Sequence, residues 1–173
     1  MALLPIITAP DPRLKTVSTE VESVTDETRQ LVSDMFETMY DAPGIGLAAI
    51  QVGVQKRLLV VDVVGKGNEE EAPQPKALIN PEITWVSDHD SVYEEGCLSV
   101  PEHYADVARP AEIKIKYLDE QGAKQTLHAD GLLATCIQHE MDHLEGILFV
   151  DHLSALKRNM ILRKLLKQKK MVS

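Results

Sequence analysis

Cysteine is scarce in this chain: Cys97 and Cys136 are the two thiols among 173 residues. Two cysteines cannot staple a secreted scaffold, so the sequence predicts a reducing, cytoplasmic setting. Long apolar runs are missing as well. No stretch of about 18 uncharged apolar residues occurs, and no membrane span is expected. Basic residues are absent before Arg13, which predicts neither a signal peptide nor a transit peptide. Acidic residues, in turn, stop at Asp151. Beyond His152 lie Lys157, Arg158, Arg163, Lys164, Lys167, Lys169 and Lys170 with no acid among them. The net charge of −9 therefore divides into −16 over residues 1–152 and +7 over residues 153–173. An acidic body binds nucleic acid poorly, but the tail is a separate question.

What is present fits a folded domain. The chain is 44% apolar and 26% charged, which excludes a disordered or fibrous polymer. At roughly 150 residues per domain, 1–173 is expected to form one domain. Thr25 can cap a helix that starts with Asp26 and Glu27, and Leu31, Val32, Met35, Phe36 and Met39 recur at helical spacing. Asp41-Ala42-Pro43-Gly44 ends it. The run RLLVVDVV at 57–64 has the β-branched density of a buried strand, and 65–75 reads as a charged surface loop. Shorter strand-like pieces fall at 77–80, 82–86 and 91–94. Residues 111–119 alternate Ile113, Ile115 and Tyr117 with charged residues, as a half-exposed strand does. Gln121-Gly122 turns into 123–129. Asp130 can cap a second helix, 131–144, and Ser154 a third reaching about residue 169. This order predicts an α+β fold with mostly antiparallel β-sheets and helices at both ends.

The strongest local pattern is His139-Glu140-Met141-Asp142-His143. On a helix, positions i and i+4 share a face, so both imidazoles can reach one ion. Glu140 projects beside them, where it can take a proton from water. A third ligand decides the class. The protease extension H-x-x-G-x-x-H finds Gly146 but then Phe149, and no carboxylate follows Asp151. His152 follows no ligand pattern. Upstream candidates are Cys97, His89, His103 and His128. Cys97, within Glu95-Gly96-Cys97-Leu98-Ser99, would give two nitrogens and one sulfur and leave a fourth position for water, the layout of a catalytic site. A closed site using Cys136 would instead make a metal-stabilised binding module and leave Glu140 without a task.

Gly44-Ile45-Gly46-Leu47-Ala48-Ala49 matches a loose dinucleotide fingerprint, with Asp62 near the spacing of a ribose-binding acid. The context is inverted, because a helix precedes and a strand follows. An extended segment lying against a peptide is the better reading, with Gln51 offering an amide donor at its end.

Three blocks, GIGLAAIQ at 44–51, EGCLS at 95–99 and HEMDH at 139–143, together resemble the signature motifs of the peptide deformylases, in order and spacing. TAPDPRL at 8–14 is similar to that family's start, and the long C-terminal helix resembles its bacterial class. The resemblance implies sheets packed around the HExxH helix and removal of formyl from N-formylmethionyl peptides and nascent chains. By motif, Cys97, His139 and His143 bind one divalent metal, Fe2+ physiologically, with Zn2+, Ni2+ or Co2+ possible. Glu140 is then the general acid/base, and Gln51 and the Leu98 N–H stabilise the oxyanion. Ile45, Gly46, Glu95, Gly96, Leu132, Thr135 and Cys136 would line or flank the methionine pocket. Thr135 stands where relatives often carry a larger aliphatic residue, and Tyr104 where some carry arginine. A monomer is expected, with the helix 154–170, striped by Leu156, Met160 and Ile161, docking to ribosomal RNA. A zinc-dependent peptidase built on the same helix is the alternative.

Overall fold

Thr25 accepts the Thr28 N–H at its hydroxyl (3.4 Å), and the Thr25 N–H donates to Thr28 Oγ1 (3.2 Å). This capping box starts α1, Asp26–Asp41. The computed structural model describes residues 2–65 and 70–172, the last two through their backbone alone, so residues 66–69 of the expected loop lie outside the described residues. After α1 come β1 (Gly46–Ala48), β2 (Leu58–Val61), β3 (Lys76–Val86), β4 (Asp90–Cys97), β5 (Val100–Pro110), β6 (Glu112–Leu118) and β7 (Lys124–Asp130). The helices α2 (Gly131–Leu144) and α3 (Ala155–Val172) follow, separated by a 3-10 turn at Phe149–His152. The class is α+β, with every strand pair antiparallel.

Five strands form one sheet in the order β1-β2-β3-β6-β7, and β4 and β5 form a separate hairpin. β2 explains the apolar run at 57–64, because it is buried on both sides. Leu59 and Val61 pack with Ala134, Ile137 and Leu144 of α2. Leu58 and Val60 pack with Val32, Met35 and Met39 of α1. The strand is shorter than 57–64 because Asp62 takes the chain out of the sheet. Its carboxylate accepts from Tyr40 Oη (2.5 Å) and from the N–H groups of Val64, Gly65 and Gln74. Asp62 is fully buried and these bonds occupy its carboxylate.

Four other expectations are corrected. The pieces 77–80 and 82–86 are one strand, β3, which continues through Asn80 at φ 51° because the Asn80 side chain bonds both backbone groups of Val21. β5, an eleven-residue strand, lies where no strand was expected. Asp130 occupies the cap position of α2 without a capping side-chain bond. The stripe on α3 also shifts. Leu156 and Met160 are exposed, whereas Leu165 is buried and Ile161 and Leu162 pack beside it against Phe149, Val107 and Leu14.

Candidate metal centre and substrate cleft

The five-stranded sheet and the hairpin converge on α2. β4 ends at Cys97, and α2 presents His139 and His143 from one face, one turn apart, with ring centroids 5.0 Å apart. One donor atom from each of Cys97, His139 and His143 lies within 4.8 Å of the others, and Cys97 Sγ is 3.4 Å from His143 Nε2. A cysteine thiolate and two imidazoles at such spacing suit a divalent transition ion and leave a coordination position open. Cys136 stays outside this group. Its Sγ lies 3.5 Å from the Ile45 carbonyl, and burial pushes its thiol well up. His89, His103, His128 and His152 are outside it too.

Buried charge around the group is compensated in a chain of contacts. His139 Nδ1 lies 2.9 Å from Glu95 Oε1, and Arg109 grips both Glu95 oxygens, Nε to Oε2 at 2.7 Å and Nη2 to Oε1 at 2.9 Å. Burial alone would raise the Glu95 carboxyl, but the bonds from His139 and Arg109 win and hold it below the ordinary range. An ionised Glu95 can only accept, so His139 carries its proton on Nδ1 and turns Nε2 toward the ion position. Arg109 Nη1 also donates to Asp142 Oδ2 at 2.7 Å. Sequence reasoning missed Arg109, an arginine 5% exposed in the unexpected strand β5. Asp142 lies inside the HEMDH block, which was its only signal.

Glu140 is 3% exposed, and its Oε1 lies 3.7 Å from His143 Nε2 with no hydrogen-bond partner among the described residues. Burial raises its carboxyl to about 7. His143, by contrast, is pushed well down by burial and then by His139. Gln51 is 1% exposed, so it is no solvated loop residue. Its Oε1 accepts from the Ala48 N–H (2.9 Å), and its Nε2 lies 3.0 Å from Ser99 Oγ and 3.5 Å from Cys97 Sγ. The expected extended segment is extended only in part: β1 is an edge strand that pairs with β2 alone, whereas Gln51 itself sits in a 3-10 turn, Ala49–Val52, that follows it.

A cleft of about 730 Å³ opens on this centre. Ile45, Gly46, Gln51, Glu95, Gly96, Leu98, Leu132, Thr135 and Cys136 all line it beside Cys97, His139 and Glu140, so every residue expected to touch substrate lies there. A second groove along α1, lined by Leu3, Phe36 and Tyr40 among others, includes neither cysteine nor histidine.

An open group of one cysteine and two histidines with a buried carboxylate at its side defines the class: a metal-dependent hydrolase built on an HExxH helix. The polypeptide deformylase family model matches residues 3–159, and the chain belongs to that family. It is 62% identical to the peptide deformylase of Rhizorhabdus wittichii over 98% of this chain and 97% of that protein. Against that of Zymomonas mobilis the identity is 58%, over 99% and 97%. Among solved structures, the peptide deformylase from Ehrlichia chaffeensis in complex with actinonin superposes with a TM-score of 0.91 at 44% identity, covering 97% of this chain and 98% of that one. The peptide deformylase from Legionella pneumophila gives 0.89 at 45%, covering 98% and 97%.

Proposed function

We propose that Cys97, His139 and His143 hold one divalent cation and that Glu140, Gln51 and the Leu98 N–H carry out the family's reaction around it. That reaction, removal of the formyl group from the N-terminal formylmethionine of newly made proteins with release of formate, is the activity of this chain. The bound cation supplies a Lewis acid that lets water react as a nucleophile at neutral pH. Glu140 accepts the proton from the attacking water and returns it to the departing amine. Burial raises this carboxyl and so favours its protonated form, while a neighbouring cation would draw it back down, so that both forms are accessible for the two transfers. Gln51 Nε2 and the Leu98 N–H donate to the oxygen that becomes negative in the transition state. Each such donor is worth about 10²–10³-fold in rate. Gln51 is suited to this because its carbonyl end is pinned by Ala48, so little reorganisation is needed.

The methionine side chain fits the apolar part of the cleft formed by Ile45, Gly46, Leu132, Thr135 and Cys136, flanked by Glu95 and Gly96. The exposed edge of β1 can take the peptide backbone as an added strand. Fe2+ is the expected physiological ion, although a His2Cys set also accepts zinc, nickel or cobalt. The chain acts as one catalytic domain, 1–173, monomeric and cytoplasmic. Two unpaired cysteines support a reducing compartment, and among the described residues no helix is long and apolar enough to cross a membrane. The seven basic residues of 153–173 support docking of α3 to ribosomal RNA.

The observation that carries the catalytic assignment is the buried, unpartnered Glu140 Oε1 beside His143 Nε2. The test is formate release from a formyl-Met-Ala peptide by anaerobically prepared protein loaded with Fe2+ or Ni2+. The unformylated peptide should stay intact. Formate release unaffected by removal of the ion would overturn the reading.

A further inference from the structure

His152, left unassigned by the sequence, ends the 3-10 turn Phe149–His152 with its side chain 38% exposed. Its Nε2 lies 2.8 Å from Asp142 Oδ2. Arg109 Nη1 donates to the same oxygen at 2.7 Å, and through Arg109 and Glu95 the chain of contacts reaches His139 Nδ1. Asp142 accepts from the Arg109 guanidinium, so Nε2 of His152 is the donor in its contact. Three residues earlier in the same turn, the buried Phe149 ring lies against His139, with centroids 6.1 Å apart and planes 25° apart. The turn is itself anchored. Asp151 accepts from Lys15 Nζ and from the Leu148 N–H, and Phe149 and Val150 sit in the core under α3. One short element thus touches His139 twice, directly through Phe149 and indirectly through four hydrogen-bonded links.

We propose that the turn Phe149–His152 is a positioning element for His139, with His152 as a positioning residue acting through Asp142, Arg109 and Glu95. The inference rests on His139 being a metal ligand. Phe149 limits rotation of the imidazole plane. His152 shares Asp142 with Arg109 and thereby restrains the guanidinium that holds Glu95 against Nδ1. A looser Glu95 would let His139 rotate and weaken Nε2 as a donor. Removing a hydrogen-bond partner of a ligating histidine typically weakens metal binding about 10–100-fold, and His152 stands three links further out, at the lower end of that range.

The test uses the full chain loaded with Co2+ or Zn2+. Chelator competition gives the affinity, and the visible Co2+ spectrum reports ligand geometry. His152→Leu should bind metal about tenfold more weakly, with shifted Co2+ bands, while His152→Gln, which keeps a donor, should stay within about twofold of the parent. Asp142→Asn carries the same expectation as His152→Leu and serves if the leucine variant fails to fold. Unchanged affinity and spectrum in these variants, or equal losses in the leucine and glutamine proteins, would overturn the proposal. His139→Ala separates the two readings: if it retained metal, the ligand assignment itself would fail, whatever His152 does.

Discussion

A Cβ atom placed on Gly46 would lie 2.7 Å from Oε2 of Glu140 and 2.8 Å from Sγ of Cys136. The edge strand β1 and helix α2 therefore approach as closely as a glycine allows, and the close approach packs β1 against the Glu140 carboxylate. Gly46→Ala should displace Glu140 and lower kcat, by up to about 10²-fold if the shift nears 1 Å. Metal content, measured in parallel, should be unchanged, because no ligand touches that site.

Glu140→Gln keeps the shape of the side chain and removes its base. Turnover should fall about 10²–10⁴-fold while the ion is retained. Formate release and elemental analysis of the same preparation check both halves. Full activity would sink the proposed proton transfers.

Arg109 neutralises Glu95 and Asp142 together, with its own side chain 6% exposed. Arg109→Leu strands a buried carboxylate and should destabilise the fold by about 3–5 kcal/mol in urea unfolding. Arg109→Lys should recover only part of this, since a single ammonium cannot grip both Glu95 oxygens.

Burial would raise the Asp62 carboxyl, but the bonds from Tyr40, Gly65, Gln74 and Val64 outweigh it and hold the group below its ordinary value. The folded protein thus binds this proton more weakly than the unfolded chain. Its contribution is complete above the unfolded value of about 4 and is lost as pH falls through the lower folded value. Asp62→Asn should cost about 1–3 kcal/mol at pH 7. Thermal melts of the two proteins should draw together below about pH 4.

Deleting α3 would uncover a core containing Leu165, so charge reversal is the cleaner test of ribosome docking. Replacing Lys157, Arg158, Lys164 and Lys167 by glutamate should abolish cosedimentation with ribosomes and leave deformylation of a short peptide intact. Parent binding should weaken steeply with salt.

Helices α1 and α3 were legible because each carries local punctuation: Thr25 before α1, Pro43 and Gly44 after it, and Ser154 before α3, where its hydroxyl accepts the Lys157 N–H. The juxtaposition of His139 and His143 was legible because a helix brings residues four apart onto one face. β5 was not. Pro101, Glu102, Asp106 and Pro110 are poor strand formers, and the hairpin holds because β4 supplies its partner in space. The break read into β3 came from Asn80-Pro81, whose conformation is fixed by a segment 59 residues away in sequence. Arg109 was invisible for the same reason. Its neighbours Glu95 and Asp142 meet it only in three dimensions.

The three side chains proposed to bind the metal belong to two different bodies: Cys97 ends β4 of the β4–β5 hairpin, whereas His139 and His143 ride on the helix covering the five-stranded sheet. Neither body alone offers a complete coordination set. Capture of an ion by this set would therefore require that hairpin and helix have already docked. Once bound, the ion would join the two through these residues. Metal content would thus report, molecule by molecule, whether hairpin and helix have met.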